Sequence, residues 1–449
     1  MPYEPTQPQP DAPAHEWVRY DLSVRRVHDW FPQPGTAPER VRAQSVALCH
    51  GDGRVREAAL RSGVPDGLLP LVILRCADWA EPVREAARDV LAEASGGALV
   101  AVADTVLRLS ARRHGGYAAE LLEARLADGE QALRQRAFTH RSRRVRRWVF
   151  RLAADGGWLT SAGFAEAAVR DTDVIVQEVC AAAALAANPV PEDVHDRLLA
   201  ARATRVRAAA VTALRRSHPC RSHRHLKAGP LLSDRAASVR ACAQWVVRTA
   251  DGEPVHHYRA LLSQGREVTS GAVAGLGECG GKDDAALLRP LLQDPRTAVR
   301  AAAVGALHHL GAVDHVRLAP MLDDPSPAVV RRVVAALEPD ASALPAGDLR
   351  TRLAAERPAH VRRAALRLLT AGSRGLTPLR AALTLVEDRD PALRARARAL
   401  AARWSPPDAA ALCAALPAAE RALLAAELDR AAPSLGQVTV RLVRLMLRL

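Results

Sequence analysis

The chain has 449 residues, 49% hydrophobic and only 3% aromatic, with a formal net charge of +14. All but Lys227 and Lys282 of its 63 basic residues are arginine. Because an excess of Arg, Ala and Pro is typical of a GC-rich genome, part of that charge is discounted; the rest suits an acidic partner. Seven cysteines without C-x-x-C spacing exclude a disulfide framework, and no run approaches the roughly 18 apolar residues of a membrane span. With no apolar leader, these features predict a soluble cytoplasmic protein.

Residues 1–14, MPYEPTQPQPDAPA, lack periodic apolar positions and read as a disordered Pro-rich tail. Residues 15–37 supply a capping helix, with Val18, Leu22, Val24, Val27, Trp30 and Phe31 apolar, followed by a linker. Residues 38–404 form the repeating body and residues 405–449 a last repeat with capping helices.

The body is organised around one phrase, clearest in DPRTAVRAAAVGALHHL at residues 294–310. Asp294 reads as an N-cap and Pro295 as a first-turn residue. Val299, Ala302, Ala303, Ala306, Leu307 and Leu310 then share a helical face, and Gly311 ends the helix. Aligned on the first buried valine, the phrase recurs at Val55, Val83, Val145, Val176, Val206, Val239, Val268, Val299, Val330, Val361 and Leu393. The spacing is close to 31 residues, with one degenerate unit expected near residues 117–126. Such a period, with two helices per unit, is that of a stacked helical array, here one continuous domain.

An arginine usually follows the valine, as at Arg84, Arg240, Arg300, Arg331 and Arg394, and an acid often stands six positions before that residue, as at Asp78, Asp234, Asp294 and Asp388. An Arg fork reaching a neighbour's capping carboxylate is expected to set stacking register, a structural use of charge. Prolines among leucines, as in LLPLVIL (68–74) and LLRPLL (287–292), are expected to bend the first helix of a unit.

On the Asp-Pro-x-x-x-Val-Arg phrase and its period, residues 38–404 resemble the HEAT-repeat family, specifically the bacterial HEAT-like, phycobilisome-lyase-type repeats. The resemblance implies an all-α solenoid of about 12 two-helix repeats, stacked with a right-handed curve so that the second helices line a concave surface. It implies no activity. Deoxyhypusine hydroxylase resembles this class but needs His-Glu iron ligands, and the one such pair here is His15-Glu16 in the tail. Bilin lyases offer no motif that maps onto this chain. HEAT-like DNA glycosylases share helical repeats and basic surface, with Asp155 the one position available for their catalytic aspartate.

Two stretches carry more arginine than the repeat asks for. In residues 134–151, RQRAFTHRSRRVRRWVFR, there is no acid, and Arg144, Arg147 and Arg151 fall at i, i+3 and i+7 beside the core face. With Arg134, Arg136 and Arg143 they are candidates for holding phosphates or carboxylates, and Trp148 is a candidate stacking edge. A solvated basic face with Trp148 between repeats is the plainer alternative. In residues 215–227, Arg215, Arg216, Arg221 and Arg224 extend the positive surface. His218, Cys220, His223 and His225 match no zinc spacing, so no metal is assigned. Gly275-x-Gly277-x-x-Gly280 matches a dinucleotide fingerprint only formally, since it follows a helix and no β-α-β unit surrounds it; the glycines read as ending one helix and opening the next turn. Residues 433–449 place Arg441, Arg444 and Arg448 on one face of an apolar helix, expected to cap the array, with membrane or partner docking as the alternative.

The sequence therefore predicts a monomeric, non-enzymatic scaffold, without cofactor, binding a protein of acidic surface through the concave face and its basic patch. The competing expectation is a nucleic-acid-binding solenoid of the repair-glycosylase kind.

Overall fold

The computed structural model describes residues 5–10, 12–26, 36–217, 220–264 and 268–449, with the side chains of residues 37 and 38 outside the description. Every regular element among them is a helix, and the helices pair into about 12 two-helix repeats, an α-solenoid. Contacts group the chain into two compact units, residues 1–210 and 211–449. The sequence period runs through that division, which falls inside the helix Thr204–Ser217. Each unit is built by packing successive second helices: in the second unit, Ser270–Cys279 lies on Thr297–His309, which lies on Pro327–Leu337, which lies on Ala359–Gly372.

The phrase at 294–310 folds with one change from its sequence reading. Asp294 does not cap the helix. Its carboxylate accepts the Arg296 N–H at 2.8 Å, closing a turn, and Arg296 is the residue that precedes the helix Thr297–His309. Val299, Ala303, Ala306, Leu307 and Leu310 are buried as expected, with Ala302 half-buried. Gly311, at φ +62, sends the chain away in the left-handed region.

The aligned valine is the third residue of the second helix, and this geometric rule corrects two assignments. In Pro327–Leu337 the third residue is Val329, so Val330 takes the arginine position and Arg331 points to solvent. In Ser270–Cys279 it is Ala272, since Val268 precedes the helix. The degenerate unit is the helix Gly116–Ala127, whose third residue, Ala118, is buried.

The arginine that follows has two tasks. One Nη folds back onto the carbonyls of its own turn: Arg84 donates to the Asp78 and Trp79 carbonyls at 3.0 and 3.1 Å, Arg300 to those of Asp294 and Pro295 at 2.9 and 3.1 Å, and Arg240 and Arg394 to those of Asp234 and Asp388 at 2.8 and 2.6 Å. The rest of the guanidinium forks forward onto the acid of the next repeat. Arg56 holds Asp78 at 3.0 and 2.8 Å, Arg146 holds Asp171 at 2.7 and 3.2 Å, Arg300 holds Asp324 at 2.9 and 3.1 Å, and Arg362 holds Asp388 at 2.7 Å twice. An Asp and the Arg six residues later therefore meet through the Asp carbonyl, while its carboxylate belongs to the preceding repeat. Burial is the largest influence on the carboxyl groups of Asp78, Asp324 and Asp388 and raises their pKa, but the arginine hydrogen bonds, a backbone N–H donor to each and the nearby arginine charges together hold all three below the usual range. Where the repeat before Asp294 has Val273 in place of arginine, Arg296 takes that carboxylate at 2.9 and 2.8 Å and reaches back to the Val268 carbonyl at 2.8 Å.

The prolines act by changing helix type. Arg289–Gln293 and Ala319–Asp323 are 3₁₀ segments with Pro290 and Pro320 in their first turns, continuing the short α-helices Ala285–Leu288 and His315–Leu318. The glycines of the formal fingerprint also differ from their reading. Gly275 and Gly277 lie buried within Ser270–Cys279, where a Cβ would fall 2.3 Å from the Tyr258 ring and 2.5 Å from Ala306 Cα respectively; only Gly280 ends the helix.

At the start, the helix Ala14–Arg25 buries Trp17 and Tyr20, whose hydroxyl pairs with Ser45 at 2.7 Å. Val27, Trp30 and Phe31 of the expected cap lie outside the described residues. Residues 5–10 and 12–13, expected as tail, run along the body: Pro5 is buried and Gln7 Oε1 accepts from Ser45 at 3.0 Å. At the other end, Ala418–Leu435 and Gln437–Leu447 pack together; Arg444 bonds Asp429 at 2.8 Å, and Val438, Leu442 and Leu445 are exposed. No helix among the described residues is long and apolar enough to cross a membrane.

Candidate functional site

The arginine-rich residues 134–151 span the helix Gln131–Phe138, a short turn, and the helix Arg143–Gly156, all in the first unit. Phe138 and Phe150 stack at 4.7 Å and bury the junction, and Val145, Val149 and Ala153 form the core face of the second helix. This fixes where each arginine emerges. Arg134 donates to the carbonyls of Leu126 and Ala127 at 2.9 and 2.5 Å, closing the end of the preceding helix, and lies 4.8 Å over Trp158. Trp158, which the sequence did not single out, is thus an arginine-stacking ring of this segment; Trp148 is half-buried on the flank of its helix.

Arg147 forks onto Asp173 at 2.8 and 2.7 Å, and Asp173 is itself the N-cap of the next second helix. The Arg147 hydrogen bond leads the causes that pull the Asp173 carboxyl down to about 2. Arg363 makes the same kind of contact to the N-cap Asp390 at 3.2 Å in the second unit, so Arg147 belongs to a second structural lock that the sequence pattern did not reveal. Arg143, Arg144 and Arg151 remain exposed on this helix. Arg136 is exposed beside Gly97 at a cavity of about 420 Å³. A larger cavity of about 660 Å³ opens over Phe138, Phe150 and Leu159, rimmed by Arg141 and by the Arg170–Glu166 pair. His140, at its edge, accepts the Ser142 N–H at 3.0 Å; burial and then the charge of Arg141 push its pKa down. Asp155 is exposed in the last turn of Arg143–Gly156.

The second stretch lies in the second unit. Arg215 sits 5.5 Å over Trp245, Arg216 is exposed, Arg221 pairs with Asp251, and Arg224 is buried. His225 packs on Gly252 and reaches the Ala250 carbonyl at 3.4 Å. His218 lies outside the described residues, among which no three His, Cys, Asp or Glu side chains converge as a metal site would require.

The family model for HEAT repeats matches residues 259–338. Those residues are HEAT-like in sequence as well as in fold. No curated protein matches the chain significantly. Among solved structures, that of Kap95p with RanGDP covers 96% of this chain and 62% of its own at 11% identity and a TM-score of 0.37. The C-terminal fragment of the cohesin loader SCC2 of Chaetomium thermophilum covers 93% and 42% at 12% identity and 0.33. UNC-45 of Drosophila melanogaster covers 97% and 62% at 12% identity and 0.25. The chain thus spans less than two thirds of each, and likenesses this distant assign neither activity nor partner.

Proposed function

We propose that the chain is a non-enzymatic protein-binding scaffold of the HEAT-like kind, using the surface of its second helices, with arginines of the 134–151 segment meeting an acidic face of the partner. The observation that carries this reading is the division of labour on Arg143–Gly156. Arg146 and Arg147 anchor the helix to the next repeat through Asp171 and Asp173, while Arg143, Arg144 and Arg151 are presented to solvent from that fixed support. Arginines on a rigid helix lose little freedom on meeting a carboxylate, which favours bidentate recognition. Arg216 is a similar exposed arginine in the second unit.

The test is retention of partners from the native cell by the chain and by an R143A/R144A/R151A variant, followed by salt titration of the purified pair. Loss of a partner in the variant, with salt-sensitive affinity, supports the reading. Equal retention refutes the role of these arginines, and no retained partner counts against the scaffold. Duplex DNA titrated in parallel separates the nucleic-acid alternative, whose affinity would fall steeply with salt and uniformly across sequences.

A further inference from the structure

The forward ladder has a break where its charge is reversed. In the regular repeats the acid that receives the preceding arginine stands three residues before the second helix begins, as Asp78 does before Glu81 and Asp324 before Pro327; elsewhere the position is neutral, as His140 and Ala201 are, or the arginine is met by another acid, as Arg240 is by Glu278. In the repeat whose second helix is Gly116–Ala127 that position is Arg113, within Ser110-Ala111-Arg112-Arg113-His114-Gly115. The arginine that ought to be received there is Arg84. Its Nη1 makes the usual return bonds to the Asp78 and Trp79 carbonyls, but it meets the carboxylate of Glu81 at 4.0 Å, on its own helix and largely exposed.

The surroundings gather more positive charge. Arg88 lies one turn beyond Arg84 on Glu81–Glu93, a like-charged i, i+4 pair that a helix tolerates at a small cost. Its guanidinium is 5.0 Å from the Tyr117 ring, whose hydroxyl donates to the Arg88 carbonyl at 3.3 Å, and its Nε is buried without a hydrogen-bond partner. A tight turn sets Arg113 and His114 just before the helix Gly116–Ala127, whose Tyr117 carries the ring on which Arg88 packs. Gly115 donates to the Arg112 carbonyl at 2.8 Å, a Cβ on Gly115 would lie 2.1 Å from the Leu109 carbonyl oxygen, and His114 adopts φ +65. Burial, and then the charges of Arg84, Arg113 and Arg88, push the pKa of His114 down.

We propose that Arg84, Arg88 and Arg113, with His114, form an anion site for a phosphate monoester, which takes the ladder position that an aspartate carboxylate fills in other repeats. With Glu81 offsetting Arg84, Arg88 and Arg113 leave two positive charges, which a dianion matches and one carboxylate does not. Guanidinium forks fit phosphate oxygens bidentately.

The experiment uses the full chain and compares wild type with Arg113→Asp and Arg84→Gln. Melting and calorimetric titration are run with inorganic phosphate, a phosphoserine peptide and the matching serine peptide. For wild type, a phosphate-bearing probe raises Tm by a few degrees at saturating concentration and the serine peptide does not. Arg113→Asp restores the ladder carboxylate, so it melts above wild type without ligand and loses the phosphate response. Arg84→Gln weakens binding about tenfold without that gain. Tighter binding of the phosphopeptide than of inorganic phosphate identifies a protein-borne phosphate, and equal binding a free one. The proposal is overturned if neither phosphate probe binds wild type, if the serine peptide binds equally, or if Arg113→Asp keeps the response.

Discussion

Replacing Asp78 by Asn tests whether the ladder carries the stability that its geometry implies. Asp78 is 5% exposed and receives three guanidinium bonds: two from Arg56, itself 0% exposed, and one from Arg75, 2% exposed, at 3.2 Å. The carboxamide keeps the shape and one acceptor but removes the charge that both arginines need. Taking one partner from a buried ion pair costs about 3–5 kcal/mol, because the remaining charge stays buried and unneutralised. Arg75 retains Asp21 at 2.6 Å and Arg56 retains the His50 and Gly51 carbonyls at 2.8 and 2.9 Å, so the lower end, about 3 kcal/mol, applies. Urea unfolding with hydrogen exchange across residues 53–93 measures it locally. The control is Asp323→Asn, whose partner Arg352 is held at 2.7 Å on the surface and whose loss costs about 1 kcal/mol or less. A D78N penalty as small as the control's would refute the view that these pairs fix the stack.

Three further outcomes follow from the geometry. Gly277→Ala destabilises by about 1–3 kcal/mol through overpacking against the Ala306 backbone, whereas Gly305→Ala, whose Cβ meets nothing nearer than Arg332 at 4.0 Å, stabilises by up to about 1 kcal/mol; equal signs in chemical denaturation would refute the packing account. Asp173, with a folded pKa of about 2 and an unfolded one near 4, contributes stability that is complete above roughly pH 4 and lost as pH falls toward 2. Melting between pH 5 and 2 should therefore be less pH-dependent in Arg147→Gln than in wild type, and parallel curves would contradict the Arg147–Asp173 lock. Phosphate-dependent melting of wild type and Arg113→Asp completes the set.

The repeat was legible because its period comes from helical packing, and buried positions three, seven and eleven of a second helix can hardly vary without breaking contact. Its register was less so. Val329 and Val330 are both buried, so nothing local shows which one faces the arginine position, and the resulting shift of one residue hid Asp324. The partner of each ladder arginine lies one repeat ahead, beyond the reach of local spacing, which is why Asp and Arg six apart looked like partners. The basic segment was legible as charge but not as division of labour: that Arg147 is held and Arg144 is exposed depends on Asp173, 26 residues on. The Arg113 position was hidden for another reason, since the repeat containing it has lost the aligned valine, and the reversal shows only once Gly116–Ala127 is placed as a second helix.

The forward bonds have a consequence for how such a chain can change length. A regular repeat offers an aspartate to its predecessor and an arginine to its successor, so a segment cut between two such repeats, from one ladder arginine to the next, leaves two ends that are chemically alike. Duplication or loss of a whole period conserves every bond of the ladder, whereas any other cut leaves a buried guanidinium without its acid. The step at Asp294, closed by Arg296 from within its own turn, is an exception of another kind. It asks nothing of the preceding repeat's arginine position, so a foreign array joined there leaves the Asp294 carboxylate met by Arg296.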